Sequence, residues 1–110
     1  MDKSRFIELA ELHAATDYSS KKSVTRANRA TDKMRAMVKA ASESGKVEQV
    51  LDLLSHPIAS SWAAFSALDL AVLTQFQERR CLKVVERVAR GAGVEGLGAQ
   101  MWLKQYANRS

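Results

Sequence analysis

An all-helical domain is the fold class this sequence predicts. Only one proline and five glycines interrupt its 110 residues. Apolar residues recur three or four apart along most of the chain, and no run of β-branched residues alternates with polar ones. Strong helix formers, chiefly Ala, Leu, Lys, Arg and Glu, supply much of the remainder.

Six helical segments follow from that spacing. The first is expected over about Lys3 to Thr16, capped by Asp2 or Ser4, with Phe6, Leu9, Ala10 and His13 on one face. Tyr18, Ser19 and Ser20 read as a loop. The second and longest runs from about Ser23 to Ser44, with Ala27, Ala30, Met34, Met37 and Ala41 inward, and Gly45 supplies its left-handed stop. The third is short, Val47 to Leu54, with a stripe of Val47, Val50, Leu51 and Leu54.

Ser55, His56 and Pro57 break the pattern. Proline suits the first turn of a helix because its missing N–H has no partner there, so a fourth helix is expected to begin near Pro57 or Ser60. Its buried face would be Ala64, Phe65, Leu68, Ala71 and Val72. Thr74 can cap a fifth helix over Gln75 to Arg90 that turns Cys81, Leu82, Val85, Val88 and Ala89 inward. Gly91, Ala92 and Gly93 end it. The sixth begins near Val94 or Leu97 and reaches Tyr106, with Leu97, Met101, Trp102 and Gln105 spaced helically.

With 46% hydrophobic and 26% charged residues, the chain has the make-up of one domain spanning 1–110, large enough for a single core. Six helices joined by short connections favour antiparallel neighbours, and three hairpins stacked side by side would bury a continuous core. The start, Met1 to Phe6, lacks the apolar stretch of a secretory signal. The charge-free run Leu53 to Leu68 contains Pro57, His56 and four serines, too polar for a membrane span. A cytoplasmic protein is expected. The single cysteine, Cys81, excludes an intramolecular disulfide and a multi-cysteine metal site.

The stretch Leu51-Asp52-Leu53-Leu54-Ser55-His56-Pro57, followed by Trp62-Ala63-Ala64 and Leu68, resembles a HEAT repeat. In such repeats a leucine-rich helix meets a proline turn and then an alanine-rich helix. The whole chain is also similar to a bacterial HEAT- or armadillo-like family of about this length, known only as a domain of unknown function. That likeness rests on Ala14-Ala15-Thr16, Ala27-Asn28-Arg29 with Asp32-Lys33, the His-Pro turn with Trp62-Ala63-Ala64, and Gly98-Ala99-Gln100-Met101-Trp102-Leu103. The resemblance implies an α-α superhelical fragment and a role in protein contacts, and it brings no activity or cofactor with it. Ile58 and Ser61 stand where HEAT-like repeats usually carry a polar residue and an arginine.

Residues able to do chemistry are few. Gly91-Ala92-Gly93-Val94-Glu95-Gly96 matches the string of a dinucleotide fingerprint, but that motif needs a preceding strand, and a helix precedes it here. Cys81 sits on an apolar helix face, which reads as a buried thiol rather than a nucleophile. His13 and His56 lack metal-ligand spacing and are expected to serve packing or a helix end. Glu8 and Glu11 read as a solvated acidic edge. Asn28 and Asp32, four apart, are expected to tie their helix to a neighbouring loop, or to form a site if they prove exposed. No catalytic constellation can be assembled, so no enzyme, cofactor or metal is expected.

Charge is the strongest remaining signal. The net charge of +5 is uneven, at −2 over residues 1–20, +6 over 21–39, −4 over 40–78 and +5 over 79–110. Lys22, Arg26, Arg29 and Lys33 form one ridge on the second helix, and Arg80, Lys83, Arg87 and Arg90 another on the fifth. In stacked hairpins these two helices fall in opposite layers, which argues against one continuous nucleic-acid groove. No aromatic residue interleaves either ridge. Trp62, Trp102, Tyr106 and Phe65 are expected in the core, or at an interface if exposed.

Two readings follow. The first is a protein-binding module, for which an immunity or antitoxin role is one form; its partner would be acidic or not a nuclease, since proteins that neutralise nucleases present acidic surfaces. The alternative is a binder of nucleic acid or another polyanion through the two ridges.

Overall fold

The computed structural model describes residues 1–108 and contains helices and turns, with no strand among those residues. The helices are α1 (Lys3–Ala14), α2 (Lys21–Glu43), α3 (Val47–Leu51), running into a 3-10 turn at Asp52–Ser55, α4 (Ser60–Leu70), α5 (Gln75–Ala89) and α6 (Gly93–Ala107).

Their boundaries have local causes. The Asp2 carboxylate accepts from Arg5 N–H at 3.0 Å and Ser20 Oγ from Ser23 N–H at 3.3 Å, each satisfying a free donor at a helix start. Gly45 ends α2 at φ 71°, which lets its N–H reach Ser42 O at 3.2 Å while Lys46 N–H reaches Ala41 O at 2.7 Å. That reciprocal pair closes a helix through a left-handed residue. Thr74 starts α5 with a full capping box: its Oγ1 accepts from Gln77 N–H at 3.1 Å, and its own N–H donates to Gln77 Oε1 at 2.9 Å.

Side-chain ties place the helices in two layers. Lys3 reaches Asp52, and the amino terminus of Met1 reaches Gln49, so α1 runs alongside α3 and its 3-10 turn. Glu48 in turn receives Gln77 Nε2 at 3.0 Å and Arg80 at 3.3 Å from α5. In the other layer Arg35 meets Asp69 at 3.3 Å and Ser42 Oγ accepts from Val72 N–H at 3.0 Å. These ties run in the same order along α2 and along α4 with the residues that follow it, so α2 and α4 lie parallel. Phe65 and Trp102 join α4 to α6 edge to face, with ring centroids 5.1 Å apart.

The arrangement is therefore α1, α3 and α5 over α2, α4 and α6, which is how stacked antiparallel hairpins are built. A radius of gyration of 13.7 Å is close to the roughly 13 Å of a compact chain this long. The central element is α4, packed against both α2 and α5. It buries Ser60, Ala63, Ala64, Ser66, Ala67 and Leu68 around most of its circumference, as a helix without a polar face must. Small side chains there let neighbours approach closely.

Three expectations need correction. Val72 is 87% exposed rather than buried, because Ala71 turns extended after Leu70 and residues 71–74 must reverse the chain before Thr74 can cap α5. On α2 it is Val38, not Met37, that is fully buried. The third segment contains only five α-helical residues. Asp52–Ser55 tighten into the 3-10 form, and the chain then turns through Pro57.

Candidate functional site

Cys81 and the two histidines each take part in packing or in a turn. Cys81 has no exposed surface, and burial pushes its thiol up to about 11, with Arg80 opposing and Glu78 adding to the shift. Such a thiol is a poor nucleophile at neutral pH. His56 Nδ1 accepts from the N–H groups of Ile58 and Ala59 at 3.2 and 3.1 Å, so it holds the turn that leads into α4. His13 packs edge-on against Trp62 at 4.5 Å between ring centroids. Among the described residues no three His, Cys, Asp or Glu side chains converge as a metal site would require. Glu8 pairs with Arg5 at 3.2 Å, while Glu11 is exposed. The glycine string lies at the α5–α6 junction, where Gly93 takes a left-handed φ of 87° and no strand precedes it.

The basic ridges occupy separate grooves. Lys22, Arg26, Arg29 and Lys33 are all exposed on α2, and none has an ion pair among the described residues. Arg26, Arg29 and Lys33 border a groove of about 280 Å³ shared with Arg5 and Glu8 of α1. On α5, Arg80 is tied to Glu48, and Lys83 and Arg87 border a different groove that also contains Asp52; Arg90 is exposed at the helix end. The α2 ridge carries more uncompensated charge. It costs stability, since like charges one turn apart destabilise a helix by about 0.2–0.5 kcal/mol per pair.

Asn28 and Asp32 do not tie α2 to a loop. Both are exposed, and neither side chain makes a hydrogen bond or ion pair among the described residues. At about 100° per residue Asn28 lies about 100° or more around α2 from every ridge residue, whereas Asp32 borders the ridge, about 60° from Arg29.

A feature that side-chain spacing alone did not single out is a cleft of about 480 Å³. Its walls are the end of α1 at Ala10, His13 and Ala14, the turn and start of α4 at Pro57, Ile58, Ser61, Trp62 and Phe65, and the first turns of α6 at Glu95, Gly98 and Ala99. Tyr18 overhangs one side and Val88 of α5 closes another. The cause is the short third helix. α1 and α5 flank it in the same layer with 12 and 15 residues, against five in α3 and four in its 3-10 turn. The cleft is the space further turns of that helix would have filled.

Comparison of the chain with protein-family models, with curated proteins and with solved structures gives no match. The cleft therefore stands on its own chemistry. Glu95 is the only carboxylate in its wall, and the rest is apolar, aromatic or small. Beside it, α6 leaves Val94 87%, Leu97 58% and Met101 57% exposed. These three sit one turn apart on a single stripe, and Gly98 of the cleft wall lies between them. The opposite face of α6 packs inward through Gly96, Ala99, Trp102, Leu103 and Tyr106. The sequence held a signal for this: apolar residues at 94, 97 and 101 and again at 99, 102, 103 and 106 cannot all share one face of a helix.

Trp62, Phe65, Trp102 and Tyr106 pack against the core while keeping partial exposure. Trp102 stacks on Tyr106 with planes 11° apart and centroids 5.0 Å apart. No helix among the described residues is long and apolar enough to cross a membrane.

Proposed function

We propose that this protein is a non-enzymatic helical binding module that takes apolar side chains of a partner protein into the cleft between α1, α4 and α6. The observation that carries this reading is the solvent-exposed stripe Val94, Leu97 and Met101 beside an apolar cleft. Water-exposed apolar surface of this kind is unfavourable in isolation and is typical of surfaces that are covered in a complex. Burying each such side chain would contribute about 1.5–3 kcal/mol, enough for three of them to anchor an interface.

An amphipathic helical segment fits best, since its side chains repeat at the spacing of the stripe it would meet. Glu95 at the cleft wall suits a basic residue on that segment, while the net charge of +5 favours a partner that is acidic elsewhere. An immunity- or antitoxin-type role is one such use. The HEAT- or armadillo-like kinship suggested by the His-Pro turn accords with a module of this kind.

The test is capture by the tagged protein from nuclease-treated lysate of its own host, run in parallel with a Leu97→Asp/Met101→Asp variant. Both positions are exposed, so the variant should fold. A stoichiometric protein retained by the parent and lost by the variant supports the proposal. The same proteins on both baits, or none on either, overturns it.

A further inference from the structure

A second surface, on the far side of α1 from the cleft, has a different chemistry. From the geometry we infer that the exposed face of α2 carrying Lys22, Arg26, Arg29 and Lys33 grips the phosphate backbone of double-stranded nucleic acid without reading its sequence.

This face breaks two local rules at once. Lys22 and Arg26, Arg26 and Arg29, and Arg29 and Lys33 are neighbours of like charge one turn apart. Lys21 and Lys22 also sit in the first turn of α2, which contains no acidic residue, although the helix dipole disfavours cations there. Of the nearby carboxylates, Glu8 borders the groove but is paired with Arg5, and Asp32, three residues from Arg29, makes no ion pair with the ridge among the described residues. Departures from local stability rules of this kind concentrate where a surface serves binding.

The shape and length agree. Arg26 and Arg29 are shared by two shallow grooves, one with Lys21, Lys22 and Thr25 at the start of α2, the other with Arg5, Glu8, Leu12 and Lys33 against α1. Together they make one basic track. From Lys22 to Lys33 the helix rises about 17 Å, long enough to reach several phosphates of a duplex, whose charges recur about every 3.4 Å of axis per strand. Arginine suits this role because its planar guanidinium can present paired donors to a phosphate.

The occupant is a duplex rather than a single strand or a protein. No aromatic side chain lies on the track, so unpaired bases would have nothing to stack on. Between the cations α2 exposes Thr25, Asn28 and Asp32, and Leu12 of α1 is the one exposed large apolar side chain bordering the track among the described residues, so a protein partner would find a single apolar anchor there. The fifth-helix ridge is the weaker candidate, because Glu48 holds one of its own cations, Arg80, in an ion pair.

The experiment is fluorescence anisotropy of a labelled mixed-sequence DNA duplex with purified protein between about 50 and 200 mM salt. Four phosphate contacts give a slope of log K against log salt of about −3.6, and Arg26→Ala/Arg29→Ala should bring it to about −1.8. Arg87→Ala/Arg90→Ala should leave it unchanged. The Leu97→Asp/Met101→Asp variant should bind the duplex like the parent, which separates this surface from the cleft. No duplex binding at the lowest salt, a slope unaffected by the α2 substitutions, or displacement of the duplex by polyglutamate at equal charge would each overturn the inference.

Discussion

His13 and Trp62 meet edge to face with ring centroids 4.5 Å apart and planes at 63°. They join the last turn of α1 to the first turn of α4, 49 residues later in the chain, and form one wall of the apolar cleft. An edge-to-face pair contributes about 0.5–1.5 kcal/mol beyond the area it buries. His13→Ala should therefore lower stability by about 1 kcal/mol in urea titration. In a Trp102→Phe background, where Trp62 is the sole indole, the same change should shift the emission to longer wavelength as water enters. An unchanged spectrum would mean that His13 does not cover Trp62 in solution.

Gly96 and Gly98 stand two residues apart in α6 and should respond oppositely to alanine. A Cβ at Gly96 would lie 2.0 Å from the carbonyl oxygen of Gly91, which is backbone and cannot step aside. Gly96→Ala should cost about 1–3 kcal/mol and detach the α5–α6 junction. A Cβ at Gly98 meets nothing within 4 Å, so Gly98→Ala should raise stability by about 0.8–1 kcal/mol through helix propensity. Thermal unfolding of the two variants checks the contrast.

Cys81 should be silent to thiol reagents until the protein unfolds. Its thiol titrates at about 11 in the fold against an ordinary 9.0, with burial the main cause. At pH 8 only about one thiolate in a thousand is present, so labelling by a disulfide reagent should follow global opening. The sign for stability follows from the same shift. Because the folded value is the higher one, the neutral thiol supports the fold fully below pH 9, and that support is lost as pH rises from 9 towards 11. Urea midpoints at pH 8 and pH 10.5 should fall more for the parent than for Cys81→Ala.

Thr74 anchors the start of α5 through both halves of a capping box. Thr74→Ala should cost about 1 kcal/mol, and Thr74→Ser should recover most of it. Because Gln77 also donates to Glu48, the alanine variant should weaken the α3–α5 contact. Faster amide exchange at Gln77 and Glu78 is the readout.

Much of the fold was legible in residue spacing. Asp2, Thr74 and Gly45 marked helix ends because caps and left-handed stops act over a few residues and need nothing from the rest of the chain. The buried residues Phe6, Leu9, Ala10, Ala27, Ala30, Met34 and Cys81 fell on the faces their periodicity indicated. The α2 ridge was likewise visible, since four cations spaced four, three and four apart must share a face.

Other features depended on what packs beside what. Val72 reads as the end of an apolar stripe, yet the chain has only residues 71–74 in which to reverse, and the need to cap α5 at Thr74 pulls it into solvent. Asn28 and Asp32 look like a junction tie, but both side chains are exposed and make no hydrogen bond or ion pair among the described residues. The cleft could not be read from spacing at all, because it is made by an absence of length: α3 and its turn stop short while α1 and α5 continue past it. Residue spacing alone indicated that the chain is helical, that α1 and α5 begin at the caps Asp2 and Thr74 and α2 ends at Gly45, and that positive charge lines α2. Packing between distant segments set the rest: α4 is surrounded, α6 keeps Val94, Leu97 and Met101 in water, and residues from three distant segments wall one pocket. Local hydrogen bonds and rotational period govern the first set, whereas the second depends on how helices of unequal length share a common core.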